Sequence, residues 1–259
     1  MLKISIKYIA LCCVAIGIVS LALLFVPATT FAATVQTGKC TKNDVQCVIA
    51  FGNQAIVSRQ NALTTLGGKV TNQLNEGNIG SDQSAALQAD ITTNQNNLAS
   101  LKTKIDGETN AQAARQDVKT IYTQFRIFAV VLPRDYRLLH VDIESVLDGK
   151  LKKLEPQLQQ SISKAPVSEQ ASLNTLYSDY QQQLATAETQ IDTATSLFPT
   201  LTPANYNTDH ATYTNNLKDV KTAETAAHVA LHQAAKDLHQ IAQTLKSGKA
   251  NTPTPTSGS

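Results

Sequence analysis

The stretch Arg126–Asp135, RIFAVVLPRD, is the most apolar run of the chain beyond its N-terminal segment, and its reading decides the fold. It is short enough for a β-strand, apolar enough for a hydrophobic tongue that enters a membrane, and spaced so that it also fits the end of a helix. The residues before it decide between them. Ala111, Ala114, Val118, Ile121, Phe125, Phe128 and Leu132 recur every three or four places, the period of one helix face. Ile127, Ala129, Val130 and Val131 fill the other faces, so this end of the helix is apolar all round and has to be covered on several sides. The uninterrupted run, Ile127 to Leu132, is far too short to span a bilayer, and Arg126, Arg134, Asp135 and Arg137 bracket it with charge. The expectation is a buried junction closed by Pro133, with Leu138, Leu139, Val141 and Ile143 folding back over it.

The same spacing extends outward in both directions. Leu87, Ile91, Leu98, Leu101 and Ile105 precede the stretch, and Tyr213, Leu217, Val220, Glu224, Ala227, Leu231, Ala234, Leu238, Ile241 and Leu245 continue it longest. Strand-like alternation is hard to find, so the fold class read from the sequence is all-α: six long antiparallel helices forming an elongated bundle. The first runs from about Asp44 to Glu76, weakened by Gly67-Gly68 and ended at the Gly77 and Gly80 loop. The second starts after Ser81 and ends near Asp106-Gly107. The third starts at Thr109, where Gln112 completes a capping-box spacing, and ends at Leu132. The fourth spans about Asp135 to Lys164 with a bend at Pro156. The fifth starts from Ser168 as N-cap, and Pro199 and Pro203 mark the loop beyond it. The sixth covers roughly Thr208 to Lys246, about 60 Å, and stops at Gly248. "NNLASLKTKID" and "QQLATAETQID" align, and "DVKT" occurs twice. The helices therefore group as two three-helix units, 43–132 and 135–247, related either by duplication or by the coincidence that heptads produce.

The ends concern export. Lys3 and Lys7, the apolar stretch Tyr8 to Val26, and small residues after Pro27 form a signal-like segment over 1–32, with Thr30 and Ala32 suited to cleavage after Ala32. The apolar stretch is also long enough to serve as an uncleaved membrane anchor. Either way the remainder is expected outside the cytoplasmic membrane: a short segment over 33–42, the helices, and a disordered Thr/Pro-rich tail over 248–259. Cys40 and Cys47, the cysteines left after that segment, are expected to pair as a disulfide. Removing the first 32 residues takes Lys3 and Lys7 from the 22 basic residues, leaving them equal in number to the 20 acidic ones. A neutral chain with no basic stripe gives nucleic acid no electrostatic footing.

Glu224, His228 and His232 stand at four-residue steps in "ETAAHVALH", and two histidines at that spacing can chelate zinc, nickel or copper. The competing reading is solvated or packed histidines on an Ala-rich helix. No glutamate follows His228 in the manner of a zinc peptidase, and neither a Gly-x-Ser-x-Gly elbow nor a Gly-rich phosphate loop occurs. No catalytic or cofactor-binding residue is therefore expected, and acidic residues such as Asp106, Glu108, Asp117, Asp142 and Glu144 read as caps and solvated positions.

The order "LKTKID", "ARQDV", "FRIFAVVLPR", then "LFPTLTPANY" before a long Ala-rich helix, resembles a group of exported all-helical, coiled-coil-like bacterial proteins. That resemblance implies export and the helical fold, and no activity. The function expected is an exported, non-enzymatic bundle, a structural or binding module of the cell envelope or the extracellular space. Its partner would be a protein or the cell wall, and self-association is open to it. Membrane contact would come only through an uncleaved N-terminal segment. The alternatives are a membrane-active helical toxin-like protein and a metal-binding helical protein.

Overall fold

A computed structural model describes residues 40–250. The expected signal or anchor over 1–32, most of the segment after it, and residues 251–259 of the expected tail lie outside the described residues. Every regular element among the described residues is helical, in order α1 (Val45–Asn75), α2 (Ser81–Asp106), α3 (Ala111–Thr120), two π-helical turns (Ile121–Phe125 and Ile127–Val131), α4 (Leu132–Lys152), α5 (Glu155–Ser163), α6 (Val167–Leu197), a 3₁₀ turn (Phe198–Thr200), α7 (Pro203–Thr208) and α8 (His210–Ala250). The all-α reading holds.

Local chemistry explains where the helices begin and end. Asp44 caps α1 by accepting from the Cys47 N–H at 2.9 Å. At its other end Gly77 adopts a left-handed φ of 67°, and the Asn78 N–H reaches back to the Gln73 carbonyl at 2.9 Å, closing a Schellman-type stop. The cap of α3 is Asn110, not Thr109: its side chain accepts from the Gln112 and Ala113 N–H groups at 2.8 and 3.2 Å. Ser168 likewise sits inside the first turn of α6, because the Pro166 carbonyl already receives the Glu169 and Gln170 N–H groups. Pro156 does more than bend its helix. The chain breaks at 153–154, and Pro156 sits in the first turn of a new helix, α5, where a missing N–H costs nothing. Asp209 caps α8 through Thr212 at 3.0 Å, and α8 runs through Gly248 to Ala250. A helical glycine costs only about 1 kcal/mol, too little to stop a helix already propagating.

The opening stretch differs most from expectation. The third helix ends at Thr120, the break falls at Arg126, whose φ of 43° and ψ of 40° are left-handed, and Pro133 opens α4 instead of closing a helix. Proline fits the first turn of a helix, where the N–H groups have no intrahelical partner in any case. The run is buried as expected: Ile127, Val130, Val131 and Leu132 are all nearly inaccessible. Ile127, Val131 and Leu132 share a core with Leu63, Leu66 and Val70 of α1, Leu98 and Ile105 of α2, and Leu139 of α4.

In space the chain groups as two compact units, one made of 40–146 with Asp192–Glu224, the other of Leu147–Ile191 with 225–250. The position of Pro133, where the sequence divides, lies inside the first. In that unit Asn53 bonds Asp106, Gln95 bonds Thr64 and Gln88 bonds the Gly67 carbonyl, so partner numbers fall along α2 as they rise along α1 and the two helices run antiparallel. The other unit has its own core of Leu151, Leu158, Leu173, Leu184, Leu231, Leu238 and Ile241. Within it the buried Tyr180 hydroxyl donates to the Leu151 carbonyl at 2.7 Å.

Two glycines of α1 separate packing from propensity. A Cβ on Gly52 would lie 2.6 Å from Val118 Cγ2 and 3.3 Å from Ile105 Cδ1, whereas one on Gly68 meets nothing within 4 Å. Gly52→Ala should therefore cost about 1–3 kcal/mol through overpacking. Gly68→Ala should gain roughly 0.5–1 kcal/mol by restricting the unfolded chain. Urea unfolding of the two variants side by side checks both signs.

Candidate functional site

The break at Arg126 is held by side chains from far along the chain. Arg126 Nε donates to Asn207 Oδ1 at 2.6 Å, and Asn207 Nδ2 donates to the Thr123 carbonyl at 2.6 Å. That carbonyl belongs to a π-helical turn, where the regular ladder is interrupted, so Asn207 satisfies a backbone group the bend would leave short of a partner. The Arg126 guanidinium lies 4.3 Å above the Tyr206 ring, and Tyr206 meets His210 and Tyr213 edge-on at 4.3 and 5.0 Å. Asn207 and Tyr206 are placed by α7, a short helix started by Pro203 and capped by Thr202. A non-glycine residue at positive φ costs about 1–3 kcal/mol and persists only where its surroundings hold it. These contacts are that hold.

A second arginine lies under the bend. Arg59 is buried, with its guanidinium 4.6 Å from the Tyr122 ring and 4.8 Å from the Phe128 ring, and Nη1 donates to the Ala55 carbonyl at 2.9 Å. Burial pushes its pKa down, while Tyr122 acts in the opposite direction. Two rings and a helix carbonyl replace part of the hydration that the cation gives up.

Along α4 three acids, Asp135, Glu144 and Asp148, turn inward. Asp135 is 1% exposed, and Arg134, which bonds it at 2.7 Å, also bonds Asp90. Burial pushes the Asp135 carboxyl up to about 7, against the pull of Arg134 and with a further push from Asp90. Burial alone pushes Asp142 to about 7. Glu144 rises to about 8 through burial and the negative charge of Glu224. Glu224 moves the other way. Burial works against its carboxylate, but His140 Nδ1 at 3.1 Å and Arg137 Nη1 at 2.6 Å outweigh it and hold the pKa below the ordinary value. Of the acids read from the sequence as caps and solvated positions, Asp106 is exposed and Asp142 half-buried, whereas Asp117 and Glu144 are buried. Asp117, which accepts from Lys104 at 2.6 Å, is 5% exposed and Glu144 is 6% exposed. A periodicity read from apolar residues alone does not show that acids share their face.

The residues singled out from the sequence are placed as follows. Cys40 and Cys47 stand at disulfide distance, Sγ–Sγ 2.00 Å. Arg115 of α3 donates to the Cys40, Thr41 and Lys42 carbonyls, the shortest at 2.7 Å, and so ties that loop to the bundle. Glu224 is engaged by Arg137 and His140, while His228 and His232, further along α8, are exposed. Among the described residues no three His, Cys, Asp or Glu side chains are grouped so as to hold a metal ion. Sequence reading missed Arg126, Asn207 and Arg59. No local motif marks a left-handed arginine, and the bracing side chains lie about eighty residues away in the chain.

The chain matches no family model, no curated protein and no solved structure.

Proposed function

We propose that the chain is an exported, non-enzymatic helical bundle, acting in the cell envelope or outside the cell as a structural or binding module. The observation that supports this reading is the chemistry of the exposed helix faces. Thr64, Thr65, Thr71, Thr92, Thr93, Thr103, Thr175, Thr186, Thr189, Thr214 and Thr222 each donate the side-chain hydroxyl to a carbonyl of the preceding turn of their own helix. With the donor used internally, the side chain offers a methyl group and remaining lone pairs to solvent, beside abundant Gln and Asn. Such a face is polar without being charged. It suits extended contact with a polymer or a protein more than it suits concentrating charge on a small substrate.

An affinity screen of the exported chain against wall polymers and envelope proteins tests the binding role. Capture that persists in high salt is expected, because little of the face depends on ion pairing. A screen without capture removes the binding role. No helix among the described residues is long and apolar enough to cross a membrane, and the most apolar run is packed in a core. Liposomes should therefore stay intact at micromolar protein, and dye leakage would favour the toxin-like alternative.

A further inference from the structure

We infer that the outer edge of the Arg126 guanidinium, set on the Tyr206 ring beside His210, is a binding site for the free carboxylate of a peptide. The starting observation is the backbone. Arg126 is the only non-glycine residue at positive φ among the described residues, at a position where glycine would cost little. Strain of that kind collects where one particular side chain is needed. The half-buried side chain is held at two points: Nε donates to Asn207 Oδ1 at 2.6 Å, and the guanidinium lies 4.3 Å from the centre of the Tyr206 ring. What remains is the far end of the fork. Its two Nη atoms have no hydrogen-bond partner among the described residues, and no carboxylate there pairs with the charge.

The chemistry of that edge selects the ligand. The two Nη groups present parallel N–H bonds in one plane, which match the two oxygens of a carboxylate or a phosphate. The Asn207 bond and the ring contact have already fixed the side chain, so little of its freedom is left to lose on binding. Charge separates the two anions. The site holds one permanent cation, and Asp209, which caps α8 through Thr212, places a carboxylate next to His210 in the chain. A ligand with one negative charge is thereby favoured over the doubly charged phosphate. His210 is exposed and its ring lies 4.3 Å from that of Tyr206, so imidazole and guanidinium stand within twice that distance of each other. Neither the imidazole nor the Tyr206 hydroxyl has a hydrogen-bond partner among the described residues. Both are placed to bond the amide groups that precede a terminal carboxylate. Tyr206, with Arg126 on its ring and His210 and Tyr213 edge-on, is no open platform for a sugar, which favours a peptide over an acidic polysaccharide.

The test is NMR titration of the isotope-labelled full chain with N-acetyl-trialanine as the free acid, and with the same peptide as its C-terminal amide. Expected are saturable shifts at Arg126, Tyr206 and His210 with the acid, and an affinity at least about tenfold lower for the amide, which lacks the charge-assisted pair. Salt should weaken the binding of the acid. That dependence separates this site from capture by the uncharged helix faces, and the proposal does not depend on the envelope role. Arg126→Gly removes the cation and relieves the left-handed backbone, so the helical circular dichroism should persist while affinity for the acid falls about tenfold or more. Inorganic phosphate and galacturonate, titrated separately, should bind more weakly than the peptide acid. Absence of saturable shifts, or equal affinity for acid and amide, overturns the proposal on the wild-type chain alone. Undiminished affinity in folded Arg126→Gly overturns it as well, and tighter binding of phosphate or galacturonate does so by assigning the edge to another anion.

Discussion

Raising the pH from about 5 to about 8.5 should lower the melting temperature, a stability loss on the order of a few kcal/mol. The cause is the set of buried and half-buried acids on α4. Asp135 and Asp142 rise from an ordinary value of 3.8 to about 7, and Glu144 rises from 4.5 to about 8. A carboxyl whose pKa is higher in the folded chain than in the unfolded one makes the folded chain bind more protons between the two values. Its contribution is complete below the unfolded value and is lost as the pH climbs through the folded one. For these three groups the loss falls between about pH 4 and pH 8. Glu224 contributes in the opposite sense, because its folded pKa is depressed and its ion pair with Arg137 is lost on acidification. The stability maximum should therefore lie in mildly acidic solution. A tenfold difference in proton affinity between folded and unfolded chain corresponds to about 1.4 kcal/mol when fully realised. Three groups at full value would approach the whole stability of an ordinary domain, about 5–15 kcal/mol. Relaxation and water entry reduce the sum, and only a few kcal/mol should remain. Asp142→Asn and Glu144→Gln should match the wild type near pH 5 and exceed it near pH 8.5. Thermal unfolding across that range decides, and a wild-type stability that rises with pH would show that these acids ionise freely in the folded chain.

The acids also show what the sequence could and could not disclose. Three-four recurrence fixes helices because it reports which side of a rod faces the core. That signal is strong at Leu63, Leu98, Ile105, Leu184 and Leu238, all buried here. The ends of the first two helices are legible within a residue or two, since Asp44, Gly77 and Asp106-Gly107 are local stop and start chemistry. Recurrence does not show that Asp135 and Glu144 share the packed side of α4, because an acid interrupts the apolar count whether it faces water or a partner. The partners themselves are remote: Arg137 and His140 meet Glu224 more than eighty residues on. The bend at Arg126 is hidden for a related reason. Its left-handed backbone is stabilised by Asn207 and Tyr206, and local propensity, which disfavours that conformation for arginine, points away from it. Pro133 is equally compatible with ending one helix and beginning another, and the π-helical turns before it tip the choice towards a beginning.

Within the apolar run at that bend, neighbouring residues should respond very differently to substitution. Ile127 is 0% exposed and packs in the core shared with α1, α2 and α4, while Ala129, two residues on, is exposed. Ile127→Ala removes buried methyl groups at a site where the braced bend limits collapse, so a loss of roughly 2–5 kcal/mol is expected. Ile127→Arg should prevent folding, since it buries a charge with no partner prepared for it. Ala129→Asp should cost less than about 1 kcal/mol, since the side chain at 129 faces solvent even though its backbone belongs to the π-helical turn beside the bend. A hydrophobic tongue that works by entering a bilayer predicts another pattern: stability little changed by either substitution, and any liposome leakage abolished by Ala129→Asp and Ile127→Arg alike. Denaturant unfolding and dye release on the same three variants separate the cases. A large stability loss at 127 with none at 129 assigns the run to the core, and equal tolerance at both positions would remove the packing argument on which the buried reading stands.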